Sequence, residues 1–372
     1  MNASPLNIAV LPGDGIGPEV IEPTVQLIDL VMSACGQRNL SYVRIDAGAR
    51  HYEQSGIALS SEALDTARGC DAILLGAMGL PSIRYDDGTE IAPQLELRET
   101  LDLYAGVRPI RSIPGVPSPL ADRRASELDF VLIRESTEGL FKSRGACELI
   151  GDDTARDRLE ITRHASERLF DFAFKLAEER QKTGKQGQVT CVDKANVLGA
   201  FAFFRGIFDD VAKRHAGISA EHGYIDAMGL AMVTRPWTFD VLVTENMFGD
   251  ILSDIGAALM GGMGMAPSAD IGDHHAVFQP CHGSAPDIVG QGAANPVATI
   301  LSGAMMLDWL GTTHRCSQCT AAAMLLNKAV DQAFARGELL PAELGGSSGT
   351  REIAAAVARS ADAIAEQGLP ET

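Results

Sequence analysis

The stretch from Phe239 to Gly262, FDVLVTENMFGDILSDIGAALMGG, constrains this chain more than any other. Its opening is an apolar, β-branched run that reads as a buried strand, and the pattern after Asn246 reads as a helix. On that helix Asp250 and Asp254 are four residues apart, so their carboxylates stack on one face and repel each other unless a cation lies between them. Two carboxylates with no nearby His or Cys favour a hard ion, Mg²⁺ or Mn²⁺, over zinc. An isolated D-x-x-x-D is usually a solvated helix face. Here Ile251, Leu252, Ile255, Leu259 and Met260 predict a mostly buried helix, and carboxylates at the edge of such a surface need partners.

The same strand-to-helix alternation runs along the chain. NIAVLP at residues 7–12 predicts a strand feeding the turn GDGIGPEV, with Pro18 in the first turn of a helix. A phosphate or dinucleotide fits such a turn, but Gly13, Gly15 and Gly17 do not match G-x-G-x-x-G, which argues against a Rossmann turn. YVRIDAG, a helical pattern from Ser60 to Ala67, and the strand DAILLGAMG follow. Together they point to an α/β sheet. RSIPGVPSPLADRR reads as a loop, and the segment after ESTEG mixes short β-like pieces with turn residues, as a protruding arm or hairpin does. The helix ASERLFDFAFKLAEERQ follows, and EIAAAVARSADAIAEQ predicts a helix near the C-terminus.

Composition narrows the function. The 372 residues, 46% of them apolar and 22% charged, are ordinary for a globular protein with one or two domains. A formal charge of −18 argues against nucleic-acid binding, which needs clustered Lys and Arg. No membrane span or signal segment is evident, so the expected location is cytoplasmic. The seven cysteines suit reduced thiols better than a disulfide framework. Cys316 and Cys319 form a lone C-x-x-C, expected as ordinary thiols on a surface or helix end.

Three arginines stand at predicted element ends. Arg98 lies inside a helix, Arg108 just after the strand-like YAGV, and Arg134 at the end of DFVLIR. Guanidinium forks bind carboxylates bidentately, so an acid with more than one carboxylate fits them, although surface ion pairs would leave the same pattern. QVTCVDKANVL predicts a strand ending at Asp193 and Lys194, and a lysine at the C-terminal end of a sheet strand stands where α/β chemistry gathers. YIDAMGLAMV places Asp226 within an apolar helix, where a buried carboxylate needs a cation.

LPGDGIGPEV, LRETLDLYAGVRP, RESTEG, VDKANVL, YIDAM, FGDILSD and HGSAPDIVGQGAANP, in this order, resemble the motifs of the isopropylmalate and isocitrate dehydrogenase family of β-decarboxylating dehydrogenases. The likeness is nearest to the isopropylmalate enzymes, with their place in leucine biosynthesis, and tartrate and D-malate dehydrogenases are nearby. It implies a two-domain α/β fold that is not a Rossmann fold. Residues 1–104 and 262–372 would form an outer, cofactor-binding domain, and 105–261 an inner one for metal, substrate and dimerisation, with a dimerisation arm at about 135–165. It also implies a homodimer with shared active sites.

Carried over residue by residue, the resemblance gives Arg98, Arg108 and Arg134 to the substrate carboxylates, with Gln94, Leu95 and Val197 near its side chain. Asp250 and Asp254, with Asp226 from the other subunit, would bind Mg²⁺ or Mn²⁺, and Lys194 from the partner would act as base on the 2-hydroxyl. His282, Gly283, Ser284 and Ala285 would line the cofactor loop, and Asn295 would meet the adenine. Asp287 favours NAD, because a carboxylate beside the adenosine ribose repels a 2′-phosphate. The chain departs from the family at three places. Phe141 replaces the tyrosine that protonates the enolate, Gln94 and Leu95 replace the leucine pair of isopropylmalate enzymes, and Gln279 stands near the cofactor where the family usually has Glu. The expected reaction is therefore oxidation, with decarboxylation, of a malate-type 2-hydroxy acid that is 3-isopropylmalate-like or tartrate- or D-malate-like.

Two rivals are weaker. GDILSD also fits a phosphatase metal motif, but the D-x-D nucleophile such enzymes need is missing near the N-terminus. A non-catalytic paralogue would usually have lost the lysine or the metal ligands, and this chain keeps them.

Overall fold

The computed structural model describes residues 4–36 and 40–368. Its strands are β1 (Leu6–Gly13), β2 (Leu40–Arg44), β3 (Ala72–Ala77), β4 (Ala105–Arg111), β5 (Asp129–Glu135), β6 (Glu148–Ile150), β7 (Thr154–Arg156), β8 (Gln188–Asp193), β9 (Ser219–Tyr224), β10 (Val241–Thr244), β11 (Pro267–Ile271) and β12 (Ala276–Pro280). Its helices are α1 (Gly17–Ala34), α2 (Ala49–Ser55), α3 (Ser61–Arg68), α4 (Pro93–Thr100), α5 (Arg163–Lys182), α6 (Gly199–Ala212), α7 (Ile225–Thr234), α8 (Asn246–Met260), α9 (Val297–Thr313), α10 (Ser317–Phe334) and α11 (Thr350–Gln367).

One ten-stranded sheet runs through the described residues in the order β2-β1-β3-β12-β11-β4-β5-β10-β8-β9. β2, β1, β3 and β12 run parallel, as do β5, β10, β8 and β9. Between these blocks β11 is antiparallel to β12 and β4, and β4 is antiparallel to β5. The two parallel blocks therefore point in opposite directions, which no single Rossmann unit does. α9 lies against β3, β11 and β12, while α5 covers β5, β8 and β10. Strands covered in this way read as continuous apolar runs, and β3 (AILLGA) and β10 (VLVT) are buried at every position. Among the described residues, no helix is long and apolar enough to cross a membrane.

Local chemistry sets the element ends. Ser60 caps α3 by accepting from the Ala63 amide, and Thr162 caps α5 by accepting from the Ala165 amide. Gly15 has φ +58°, and a Cβ there would lie 1.9 Å from the Ser284 carbonyl oxygen, so only glycine fits. That close approach seats the glycine-rich turn on the loop after β12. β6 and β7 pair as an antiparallel hairpin whose six residues are all exposed, as the arm predicts.

Four expectations change. Arg108 lies inside β4 instead of after a strand, because the strand continues through Arg111. Asp226 is exposed in the first turn of α7, not buried in an apolar helix, since the turn that follows β9 opens to solvent. Ile251 is 52% exposed on the outer face of α8, although Leu252, Leu259 and Met260 are buried as expected. Cys316 and Cys319 are at a helix start, but buried in the core.

Candidate active site

β4, β5 and α8 build one wall of a cleft of about 510 Å³. α8 starts directly after β10, where Glu245 caps it by accepting from the Phe248 amide at 2.7 Å and the Met247 amide at 3.1 Å. Asp250 and Asp254 both line the cleft, as their four-residue spacing requires. Gly249 is needed here, because a Cβ would lie 2.6 Å from Arg134 Cγ. Arg134 thus crosses the first turn of α8. Its Nε donates to Asn246 Oδ1 at 3.0 Å, and it pairs with Asp250.

Arg98 from α4 and Arg108 from β4 line the same cleft. Both are buried, and both reach the carboxylate of Asp270 on β11, which is 0% exposed. Arg98 Nε donates to Asp270 Oδ2 at 2.9 Å, and an Arg108 terminal nitrogen lies 3.5 Å from Oδ1. Burial works to raise the Asp270 pKa, but the fields of Arg98, Arg108 and Arg134 outweigh it and hold the carboxyl below its usual value. Arg134 is pushed down to about 10 by its own burial and by Arg98, so it stays charged at neutral pH. Asp254 is pushed up by burial and then by Asp250, which together outweigh the lowering fields of Arg134 and Arg108.

Phe141 faces this wall, with Arg134 Cζ 5.1 Å from its ring centre, within cation–π range. Gln94 and Leu95 line the cleft beside it, and the inner amide oxygen of Gln94 is buried without a partner. His282 and Gly283 close the far side. The His282 Nδ1 is 2.9 Å from the Gly283 carbonyl oxygen, its Nε2 is buried without a partner, and burial pulls its pKa down.

Other expected residues stand apart from the cleft. Lys194 follows β8 and pairs with Asp226 at 2.5 Å, at a corner where Val197 is 66% exposed. Among the described residues, no group of three carboxylate, His or Cys side chains within this chain is arranged for a metal. Ser284 is held by Gly79, Ala285 adopts φ +38°, and Asp287 presents an exposed carboxylate on a short 3₁₀ turn. Asn295 is buried, its amide donating to Glu343 at 2.6 Å.

Residues 7–357 match the profile described as isocitrate/isopropylmalate dehydrogenase. The chain belongs to the isocitrate/isopropylmalate dehydrogenase family. It is 44% identical over 353 residues to the 3-isopropylmalate/3-methylmalate dehydrogenase of Methanocaldococcus jannaschii, covering 95% of this chain and 98% of that one. It is 40% identical over 355 residues to the 3-isopropylmalate dehydrogenase of Methanothermobacter thermautotrophicus, with the same coverage. Among solved structures, isocitrate dehydrogenase from Methylococcus capsulatus superposes with a TM-score of 0.82 at 34% identity, covering 96% of this chain and 99% of that one. A β-decarboxylating dehydrogenase from Thermococcus kodakarensis gives 0.80 at 33% identity, over 99% and 100%. This chain is accordingly a β-decarboxylating dehydrogenase.

Within this dehydrogenase, two residues that hold the cleft arginines, Asp270 and Asn246, were not expected from the sequence. Asp270 sits in PSADI, and an aspartate in an apolar strand needs a cation, which was the available signal for it. Asn246 carries no such signal. Gln279, expected near the cofactor, is on β12 and donates to Asp270 at 2.8 Å.

Proposed function

We propose that this dehydrogenase oxidises and decarboxylates a malate-type 2-hydroxy dicarboxylate, 3-isopropylmalate-like, using NAD and Mg²⁺ or Mn²⁺, in a cleft completed by a second copy of the chain. The observation that carries the reading is the convergence of three buried guanidiniums and two stacked carboxylates on one cleft. Arg98, Arg108 and Arg134 grip the substrate carboxylates and fix C2. Asp250 and Asp254 would hold the metal ion together with Asp226 of the partner subunit, and the raised Asp254 pKa fits a site that needs a cation. When bound there, the ion supplies charge stabilisation to the oxygens of the reacting carbons, and NAD takes the hydride.

Lys194 of the partner subunit removes the proton from the 2-hydroxyl, a role consistent with its position outside this chain's own cleft. Phe141 cannot donate a proton, so the enolate is protonated by another group or by water. The loop from His282 to Ala285 would receive the nicotinamide cofactor, and the unpartnered His282 Nε2 is a polar atom that a ligand there can satisfy. The exposed Asp287 carboxylate disfavours NADP. Exposed Leu230, Val233 and Val197 support pairing with a second copy. The same reading divides the chain into an outer domain of residues 1–104 and 262–372 and an inner one of 105–261.

A second reading, a tartrate- or D-malate-type substrate, is favoured by the unpartnered Gln94 amide in the cleft, which suits a hydroxyl better than an isopropyl group. The test is a panel of 3-isopropylmalate, D-malate, tartrate, isocitrate and homoisocitrate with Mn²⁺, followed as NADH and, separately, NADPH formation. Activity on 3-isopropylmalate with NAD supports the first reading, and activity confined to tartrate or D-malate supports the second. Absence of turnover on all five, or equal kcat/KM with both cofactors, overturns the corresponding part.

A further inference from the structure

Asp270 and Gln279 lie on adjacent antiparallel strands. Ser268 is the register partner of Gln279, which puts residue 270 on the same face one diagonal away. The Gln279 amide donates to Asp270 Oδ2 at 2.8 Å, and Arg98 Nε donates to that same oxygen at 2.9 Å. Ser136 Oγ lies 3.3 Å from the other oxygen. Among the described residues, no second carboxylate lies within salt-bridge distance of Arg98 or Arg108. Asp270 is therefore the single buried counter-charge beneath two buried guanidiniums.

We infer that Asp270 and Gln279 form an exchangeable acid–amide pair, and that Asp270 is the positioning residue that orients Arg98 and Arg108 toward the substrate. A hydrogen bond of this length joins an acid to an amide equally well in either order, provided one of the two is neutral. Two carboxylates at that distance would instead share a proton or repel. The chain puts the acid on β11, where it occupies Arg98 Nε and leaves the two terminal nitrogens of Arg98 without a protein partner among the described residues. Those nitrogens are the ones a substrate carboxylate takes as a fork. Without the acid, Arg98 would lose the one hydrogen bond that fixes its guanidinium among the described residues, and Arg108 would keep the Val107 and Ala269 carbonyl oxygens, at 3.2 and 3.0 Å, but lose its counter-charge.

The inference rests on the reading that Arg98 and Arg108 hold a substrate carboxylate, and Arg98→Gln tests that reading separately. The experiment compares wild type, Arg98→Gln, Asp270→Asn, Gln279→Glu and the double variant Asp270→Asn/Gln279→Glu. Each is assayed for KM and kcat on the active substrate of the panel and for Tm. Asp270→Asn should raise KM ~10–100-fold, the size of a lost charged hydrogen bond, with a smaller change in kcat. Gln279→Glu should also weaken binding, by placing a second acid against the first. The double variant restores the charge from the other strand and should return KM to within about twofold of wild type, a non-additive rescue that contacting residues can give and independent sites cannot. A double variant no better than Asp270→Asn, or an Asp270→Asn enzyme with wild-type KM, overturns the inference. If Asp270→Asn does not fold, recovery of a folded, active double variant supports it and failure of both overturns it. An unchanged KM in Arg98→Gln rejects the substrate reading, whatever the exchange does.

Discussion

The arginine wall of the cleft and the Lys194–Asp226 corner are opposite kinds of surface. On the wall, Arg98, Arg108 and Arg134 are all under 10% exposed, and each has an internal acid or amide as partner. At the corner the Asp226 side chain is 68% exposed, and apolar Val197 and Leu230 are 66% and 68% exposed. The wall is finished within one chain. The corner is not, because an ion pair beside bare apolar side chains is poorly suited to water, where exposed ion pairs contribute little. The contrast teaches that, on the proposed function, one chain would carry a complete substrate grip and an incomplete chemical apparatus.

The largest effect should come from separating the two. Lys194→Met should lower turnover by ~10²–10⁴-fold, the usual contribution of a positioned base, and Arg134→Gln should abolish substrate binding. Co-expressed, the two variants should regain about a quarter of wild-type activity, because half of random dimers are mixed and each mixed dimer has one intact site. Co-expressed protein as inactive as either parent would mean that each chain works alone.

Next comes the exposed apolar surface. Leu230→Glu should yield a folded chain that elutes as a monomer in size-exclusion chromatography and has lost activity, since a buried charge at a subunit contact has no partner. An active dimer would move the second copy to another face.

A smaller effect is expected on the wall itself. Phe141→Tyr places a hydroxyl near Arg134 and should raise CO₂ release relative to NADH formation, while leaving oxidation nearly unchanged. The two products are measured in the same sample. Equal CO₂ and NADH in wild type, unaltered by the variant, would show that another group already protonates the enolate.

The smallest is a pH effect at His282. Burial depresses its folded pKa below the ordinary 6.5. The unfolded chain therefore takes up the proton first as pH falls through about 6.5, and the native state loses stability on the acid side. His282→Gln should flatten the decline of Tm between pH 7 and pH 5 relative to wild type. Parallel declines would show that the histidine titrates alike in both states.

Much of this was legible in the chain, for reasons that differ by residue. β3 and β10 are uninterrupted apolar runs, and Asp250 with Asp254 announce themselves by helical spacing. β9, SAEHGY, was not legible, because a polar edge strand has no apolar period to detect. Convergence of the arginines is a tertiary fact. Arg98 and Asp270 are 172 residues apart, and no local pattern links them. Asp226 misled because its helix is apolar in composition while its first turn is open, so the sequence described the neighbours and not the residue.

The two parallel blocks of the sheet meet through β11 and β4, which share three register pairs, and Asp270 is the middle rung, opposite Gly106. That rung is also what Arg108, on β4, leans toward. Prising β11 from β4 would draw the acid from its arginine while both four-stranded blocks still stand. Under mild denaturant the enzyme should therefore lose its grip on ligand before it loses its shape, as a clasp slips before the chain it closes has broken.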